Sequence, residues 1–349
     1  MIRKLLDPLR GKYAENEYPA LKKQMESWMN EKPLQGIRIL DGTPVFTNTL
    51  FKYASLLAAG ADLTVGYGDQ IPYDPEVIKL LKEIGIPCLK GQKGSQIFDI
   101  ILDCNAAHSS MNPVYGFAEL TRSGAYRFSG TEDPVIMVDD SRIKAIETCL
   151  GTGESFLRGM RHFGFHDLSG KKILVFGCGK VGRGIVFYAG SAGADVVAID
   201  YPAAVISHIG GRLLNCSKRE DVLQELSSAW CVVSATGKAS ALADDDFYRI
   251  LNNGEQIIVN MGVEDEWGDG IPEERVLNRK QPLNFVLPEP TLMKYIAPTM
   301  ALHNHAALEL LSSPRIPGIR KPSPESEQLY WEITRNEGII SHELSAAGL

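Results

Sequence analysis

The chain has 349 residues, enough for one or two domains that each bury a core, and its 44% hydrophobic and 23% charged residues match an ordinary globular protein. A formal net charge of −7 with no basic cluster excludes nucleic acid as a main partner, because nothing would neutralise phosphates. The six cysteines are scattered without a C-x-x-C pair, no apolar run reaches the length of a membrane span, and "MIRKLLDPLRGKYAENEYPALKK" lacks a signal-peptide core. A soluble cytoplasmic protein with reduced thiols and no membrane contact is expected.

From Gly36 the pattern alternates strand and helix. "GIRILDG" predicts a strand, "TNTLFKYASLLAAG" a helix, "ADLTVGYG" a strand, "DPEVIKLLKEIG" a helix, and "IPCLKG", "FDIILDCNAA" and "PVIMVDDS" three more strands. Apolar residues at helical spacing from Arg142 to Gly164 predict a helix that crosses into a second unit. There "KKILVFGCGKVGRGIVFYAGSAGADVVAIDYP" opens with an apolar run, Ile173 to Phe176, that stops at Gly177, Gly179 and Gly182 in the spacing G-x-G-x-x-G. Such a turn joins a buried strand to a helix: Gly177 for the tight turn, Gly179 for close backbone approach to a pyrophosphate, Gly182 for helix-on-strand packing. Lys180 and Val181 open the helix, whose positive end would face the pyrophosphate. The next strand, Asp195 to Ile199, ends in Asp200, an acceptor for both ribose hydroxyls that would repel a 2′-phosphate; this predicts NAD over NADP. "AWCVVSATGK" and "EQIIVNMG" add two strands, with Thr236, Gly237 and Asn260 as cofactor neighbours. "PTMALHNHAALELLSS" predicts the helix that returns to the first unit, which the tail after Pro314 completes.

The expected architecture is therefore α/β, with two Rossmann-like doubly wound domains around a central cleft. Residues 1–148, completed by 311–349, form a substrate domain, and 149–310 an NAD-binding domain.

In order and spacing, "TLFKYASLLAAGADL", "IGIPCLKG", "IILD", "AELTRSG", "VIMVDDSRIK", the glycine fingerprint and "VNMG" resemble the S-adenosylhomocysteine hydrolases from about Gly36 to Leu310. The resemblance implies two Rossmann-like domains and a tightly held NAD that oxidises a ribose hydroxyl and later reduces it again. It places Gly177, Gly179, Gly182, Asp200 and Asn260 at the dinucleotide site, with Thr121 and Ser123 on two threonines that reach toward NAD, and Lys144 on the catalytic lysine. Elsewhere the match fails. Pro44 and Val263 stand where the family has histidines, Cys104 where it has an aspartate, and Leu120 where it has a glutamate, with Glu119 beside it. The family's aspartate and asparagine after the lysine fall ambiguously among Glu147, Thr148 and Cys149, and its C-terminal lysine and tyrosine have no counterpart in "SHELSAAGL".

Five residues are candidates for chemistry. Lys144 is a base or proton relay, or else a solvated lysine on the crossing helix. Asp103 binds a substrate hydroxyl or caps the next turn. His108 in "CNAAHSS" replaces the missing acids or is simply exposed. Glu119 is the surviving carboxylate. His303 and His305, about 200° apart on a helix, share no face for a metal, although His303 could serve as an acid/base. No metal is expected. These features predict an NAD-dependent enzyme that oxidises a secondary alcohol of a small polar, nucleoside- or sugar-like substrate. The alternatives are a working hydrolase with a rebuilt pocket, a hydroxy- or amino-acid dehydrogenase, or a non-catalytic regulatory protein that binds NAD. A homo-oligomer is implied only by the resemblance.

Overall fold

The computed structural model describes residues 1–68, 71–91, 96–201 and 210–349. In chain order the strands are β1 (Arg38–Asp41), β2 (Asp62–Tyr67), β3 (Cys88–Lys90), β4 (Ile100–Asp103), β5 (Gly116–Glu119), β6 (Pro134–Met137), β7 (Lys172–Phe176), β8 (Asp195–Asp200), β9 (Arg212–Asn215), β10 (Cys231–Ser234), β11 (Ile257–Asn260) and β12 (Gly318–Arg320). The first sheet runs β12-β6-β5-β4-β1-β2-β3 and the second β11-β10-β7-β8-β9. Every pairing within them is parallel. Both sheets are therefore built from crossover connections and need cover on both faces, which is why their strands read as unbroken apolar runs. In β7, Ile173 and Val175 enter one apolar cluster with Phe156, Ile185 and Val233, while Leu174 and Phe176 enter another with Val197, Phe247 and Trp267. Period two thus puts neighbouring residues on opposite faces, both buried.

Contacts divide the chain into one unit of Met1–Ile146 with Met293–Ser341 and another of Glu147–Leu292 with His342–Leu349. The expected return near residue 311 is corrected to Met293. The helix Met293–Ser312 belongs with the first unit because its buried polar residues bond there: Asn304 Nδ2 donates to Gln24 Oε1 and to the Lys52 carbonyl at 3.0 and 3.1 Å. The last residues go the other way. Glu343 accepts the Tyr188 hydroxyl at 2.5 Å, so the final turn belongs to the second unit.

The crossing segment is not one uniform helix. It is α-helical over Arg142–Ala145, π-helical over Ile146–Gly151 and α-helical again over Thr152–His162. Gly153 and Gly184 let the helices Thr152–His162 and Lys180–Ser191 meet backbone to backbone, since a Cβ on Gly153 would lie 2.4 Å from the Gly184 carbonyl oxygen. Periodicity missed the helix Pro19–Glu31 and three short strands, β5, β9 and β12. Each of these strands has only three or four residues, too few for a periodic signal.

Candidate functional site

Each sheet reverses its winding once, and ligands of open α/β sheets bind outside the carboxyl ends of the strands at such a point. In the second sheet the reversal lies between β7 and β10. The glycine turn leaves β7 there. Gly177 has φ 89°, and a Cβ on it would lie 2.5 Å from the Ala235 oxygen, just beyond β10. A Cβ on Gly182 would lie 1.8 Å from the Gly177 oxygen. Both positions are closed by backbone and admit only glycine. Gly179 differs: it is exposed, with nothing within 4 Å of where its Cβ would be. It caps the helix Lys180–Ser191 without a side-chain hydrogen bond, so the first amides of that helix face outward as a cradle for an anion. Val181 packs on the apolar cluster beneath.

Asp200 ends β8 and braces this turn, its carboxylate accepting the Cys178 amide at 2.6 Å and the Tyr201 amide at 2.7 Å. A carboxylate has about four lone-pair positions, so among the described residues two are left for hydroxyl donors. Pro202, the last residue of the fingerprint stretch, lies outside the described residues. Thr236 and Gly237 follow β10 as expected, but their amides donate to the Glu266 carboxylate at 2.7 and 2.6 Å. Burial pushes Glu266 above the usual carboxylate range and these amides pull it back. Asn260 is fully engaged: Nδ2 donates to the carbonyls of Gly262, Glu264 and Lys280, and Oδ1 accepts from Ser234. It ties the turn after β11 together. Spacing gave no hint of Glu266, nor of Arg183, whose buried Nε has no hydrogen-bond partner among the described residues.

In the first sheet the winding reverses between β1 and β4. Asp41 and Asp103 end these strands, Glu119 ends β5 in register with Asp103, and all three are fully buried. Asp41 is paired with Lys52 and also accepts the Thr43 hydroxyl. Both residues lie in stretches quoted above, but nothing in their spacing marks them as partners. Burial lowers the Lys52 pKa more than Asp41 raises it. Asp103 is held by its own loop: it accepts the amides of Cys104 and His108 at 2.9 Å each, and His108 Nδ1 at 3.0 Å. His108 is thus not an exposed loop residue but 2% accessible, its ring seated over Gly42 and Gly66. With Nδ1–H held by a carboxylate, Nε2 is the nitrogen able to take a proton.

Glu119 accepts four hydrogen bonds, from the amides of Asn105, Ala106 and Thr121 and from the Thr121 hydroxyl. Burial and the neighbouring Asp103 nevertheless push it up to about 7. Thr121 caps the helix Arg122–Arg127 and Ser123 donates to it at 3.2 Å, so both are bound within the first unit.

Lys144 sits in the short helix Arg142–Ala145, buried rather than solvated, with its amide donating to Ser141 Oγ. Its charge reaches His303. His303 is fully buried, and its Nε2 donates to the Ala118 carbonyl of β5 at 2.9 Å. Burial, assisted by the charges of Lys52 and Lys144, lowers it to about 3. Burial and the bond from Nε2 to backbone favour a structural part for His303 over the acid/base part expected from the sequence.

No family model matches the chain. Curated relatives do. The adenosylhomocysteinase of Thermococcus kodakarensis is 24% identical over 275 residues, 70% of this chain and 64% of that protein. That of Gloeobacter violaceus is 30% identical over 221 residues, 55% of this chain and 52% of that one. Over about 70% of its length the chain is thus similar to adenosylhomocysteinases, at low identity. The S-inosyl-L-homocysteine hydrolase of Methanosarcina mazei is also similar, 25% identical over 288 residues, 73% of this chain and 68% of its own length. Each match leaves about a third or more of the relative uncovered. Among solved structures, a dipicolinate synthase chain from Bacillus halodurans superposes with a TM-score of 0.51 at 15% identity, covering 80% of this chain and 99% of that one, which shows the shared α/β fold. Among the described residues no helix is long and apolar enough to cross a membrane.

Proposed function

We propose that the chain binds NAD at the glycine turn of its second unit and oxidises a secondary alcohol of a small polar, nucleoside- or sugar-like substrate. The observation that carries this reading is the glycine geometry: Gly177 and Gly182 are closed by backbone while Gly179 stands open before the uncapped helix. Gly179 and the first amides of that helix would hold the pyrophosphate, and Asp200 the ribose hydroxyls. Bound there, NAD would supply a hydride acceptor. The chain's own part is to take the hydroxyl proton as the hydride leaves. His108 Nε2, oriented through Asp103, and Lys144 are the groups of the first unit assigned to that transfer. Glu119 and His303 are assigned structural parts, since every proton or lone pair of theirs that bonds does so to backbone or to Thr121.

A second reading, favoured by the names of the relatives, is hydrolysis of an S-nucleosylhomocysteine. Against it stand Pro44, Cys104, Leu120 and Val263, none of which can do the work of the histidine or carboxylate at the resembling positions. Purified protein incubated with NAD and, in turn, S-adenosylhomocysteine, S-inosylhomocysteine, adenosine, simple polyols and hydroxy acids separates the readings. Reduced nicotinamide formed with one of the alcohols is expected, and no thiol. Homocysteine release near 1 s⁻¹, within the ordinary enzyme range, would establish the hydrolase instead. NAD binding with neither product would leave the regulatory reading. On the substrate so found, Lys144→Ala should lower turnover roughly 10²- to 10⁴-fold with NAD affinity held within a few-fold.

A further inference from the structure

Glu119 lies beyond the reach of solvent at the end of β5, yet its carboxylate is ringed by donors: the Asn105 amide at 3.0 Å, Ala106 at 2.9 Å, Thr121 at 2.7 Å and the Thr121 hydroxyl at 2.6 Å. Two of these donors belong to residues in an unfavourable conformation. Asn105 and Ala106 have φ of 58° and 48°, consecutive left-handed residues without a glycine between them. The rest of the loop is tied to the same place, with Arg127 Nη1 donating to the Asn105 carbonyl at 2.8 Å. Gly124 lets the helix Arg122–Arg127 close over the carboxylate, since a Cβ there would lie 2.1 Å from the Glu119 carboxyl carbon.

The left-handed pair determines where the chain goes next. It turns back on itself after β4, so that His108 offers both its amide and Nδ1 to the Asp103 carboxylate from which the loop began. The ring then fits over Gly42 and Gly66, where a Cβ would come within 2.5 and 2.9 Å of its atoms. We propose that Glu119 is a positioning residue: its carboxylate holds the Asn105–Ala106 turn in the left-handed form, and that turn aims the His108 imidazole at Asp103. The ionised carboxylate meets four converging donors with acceptors alone, whereas a glutamine amide would set an N–H against a backbone N–H. The importance of this for turnover rests on His108 being the base, but the positioning itself is measured without turnover.

The test is Glu119→Gln in protein labelled with 15N at histidine, with the His108 signals identified by their loss in His108→Gln. In the wild type, His108 should show a protonated Nδ1 held by a carboxylate. In Glu119→Gln the ring should move toward exchange between its tautomers, and the Asn105 and Ala106 amides should exchange with solvent at least about tenfold faster. Adding Ala106→Gly, which adopts a left-handed φ without steric cost, should return the His108 signal toward the wild-type position. Folded Glu119→Gln with unchanged His108 shifts and unchanged exchange overturns the proposal, as does a displaced signal that Ala106→Gly does not move. Should Glu119→Gln not fold, Thr121→Val removes one donor from the same carboxylate and must shift the same signals in the same direction; unchanged signals there overturn it equally. Turnover of His108→Gln is measured separately. Full activity in that variant would reject His108 as the base and leave the positioning result intact.

Discussion

The two units wind their sheets alike and reverse them at equivalent points, β7/β10 in one and β1/β4 in the other, but they furnish those points in opposite ways. The second unit clears its reversal with glycines, leaving open backbone around Gly179 and one bracing carboxylate, Asp200. The first fills its reversal with ionisable side chains, Asp41, Lys52, Asp103, His108 and Glu119, nearly all without access to water. A backbone cradle suits an anion common to many reactions, since amides at a helix end recognise charge and little else. Buried charged side chains cost desolvation and persist only when paired, so they suit a site that must hold one geometry. Under the function proposed above, the open reversal would serve the cofactor and the filled one the substrate.

The sharpest way to break this contrast is to unpair the first reversal. Lys52→Met leaves Asp41 buried and alone, and should cost about 3–5 kcal/mol of unfolding free energy in urea. Adding Asp41→Asn should recover at least half of that. A loss under about 1 kcal/mol would mean that water reaches the pair.

The next effect is carried by pH. His303 has a folded pKa of about 3, below its ordinary value of 6.5, so the unfolded chain binds the proton more readily. Its contribution is present above pH 6.5 and lost as the pH falls from there toward 3, on the order of 3 kcal/mol or more in all. Glu119 works in the opposite sense. With a folded value of about 7 against 4.5, its linked stability is full below pH 4.5 and lost as the pH rises through 7. His303→Gln should therefore flatten the fall in stability between pH 6.5 and 4, followed by denaturation at each pH. Parallel curves for wild type and variant would show that the ring is not neutral when buried.

The second reversal responds to smaller changes. Gly182→Ala drives a methyl against the Gly177 carbonyl and should cost about 1–3 kcal/mol along with NAD binding. Gly179→Ala meets nothing in the protein and should leave thermal stability nearly unchanged while weakening NAD roughly tenfold, about 1.4 kcal/mol by calorimetry. Equal losses of stability in the two variants would remove the distinction between packed and open glycines. Asp200→Asn, the mildest change, should shrink the preference for NAD over NADP by about tenfold, because it keeps an acceptor and removes the repelling charge. Unchanged discrimination would show that Asp200 serves the turn alone.

Features that depend only on neighbouring residues were legible in the chain before any fold was known. The apolar runs of β7, β8, β10 and β11, the spacing of Gly177, Gly179 and Gly182 and the acid at Asp200 are local, because a strand, a turn and a helix start are each made within a few residues of chain. The α/β class followed from the alternation of such pieces. Which polar residues meet is settled by the packing of distant segments. Asp41 and Lys52 are one helical entry apart, but whether they face each other in the dry depends on β4 and the helix Met293–Ser312 closing over them. His108 reads as an exposed loop residue until Gly42, Gly66 and Asp103, supplied by three different strands or their ends, are placed around it. His303 carries no mark that distinguishes it from a catalytic histidine; its burial against β5 removes its charge. Desolvation is the physical reason in each case, since a side chain's charge and proton affinity depend on how much water the rest of the fold takes away, a quantity absent from any local stretch of sequence.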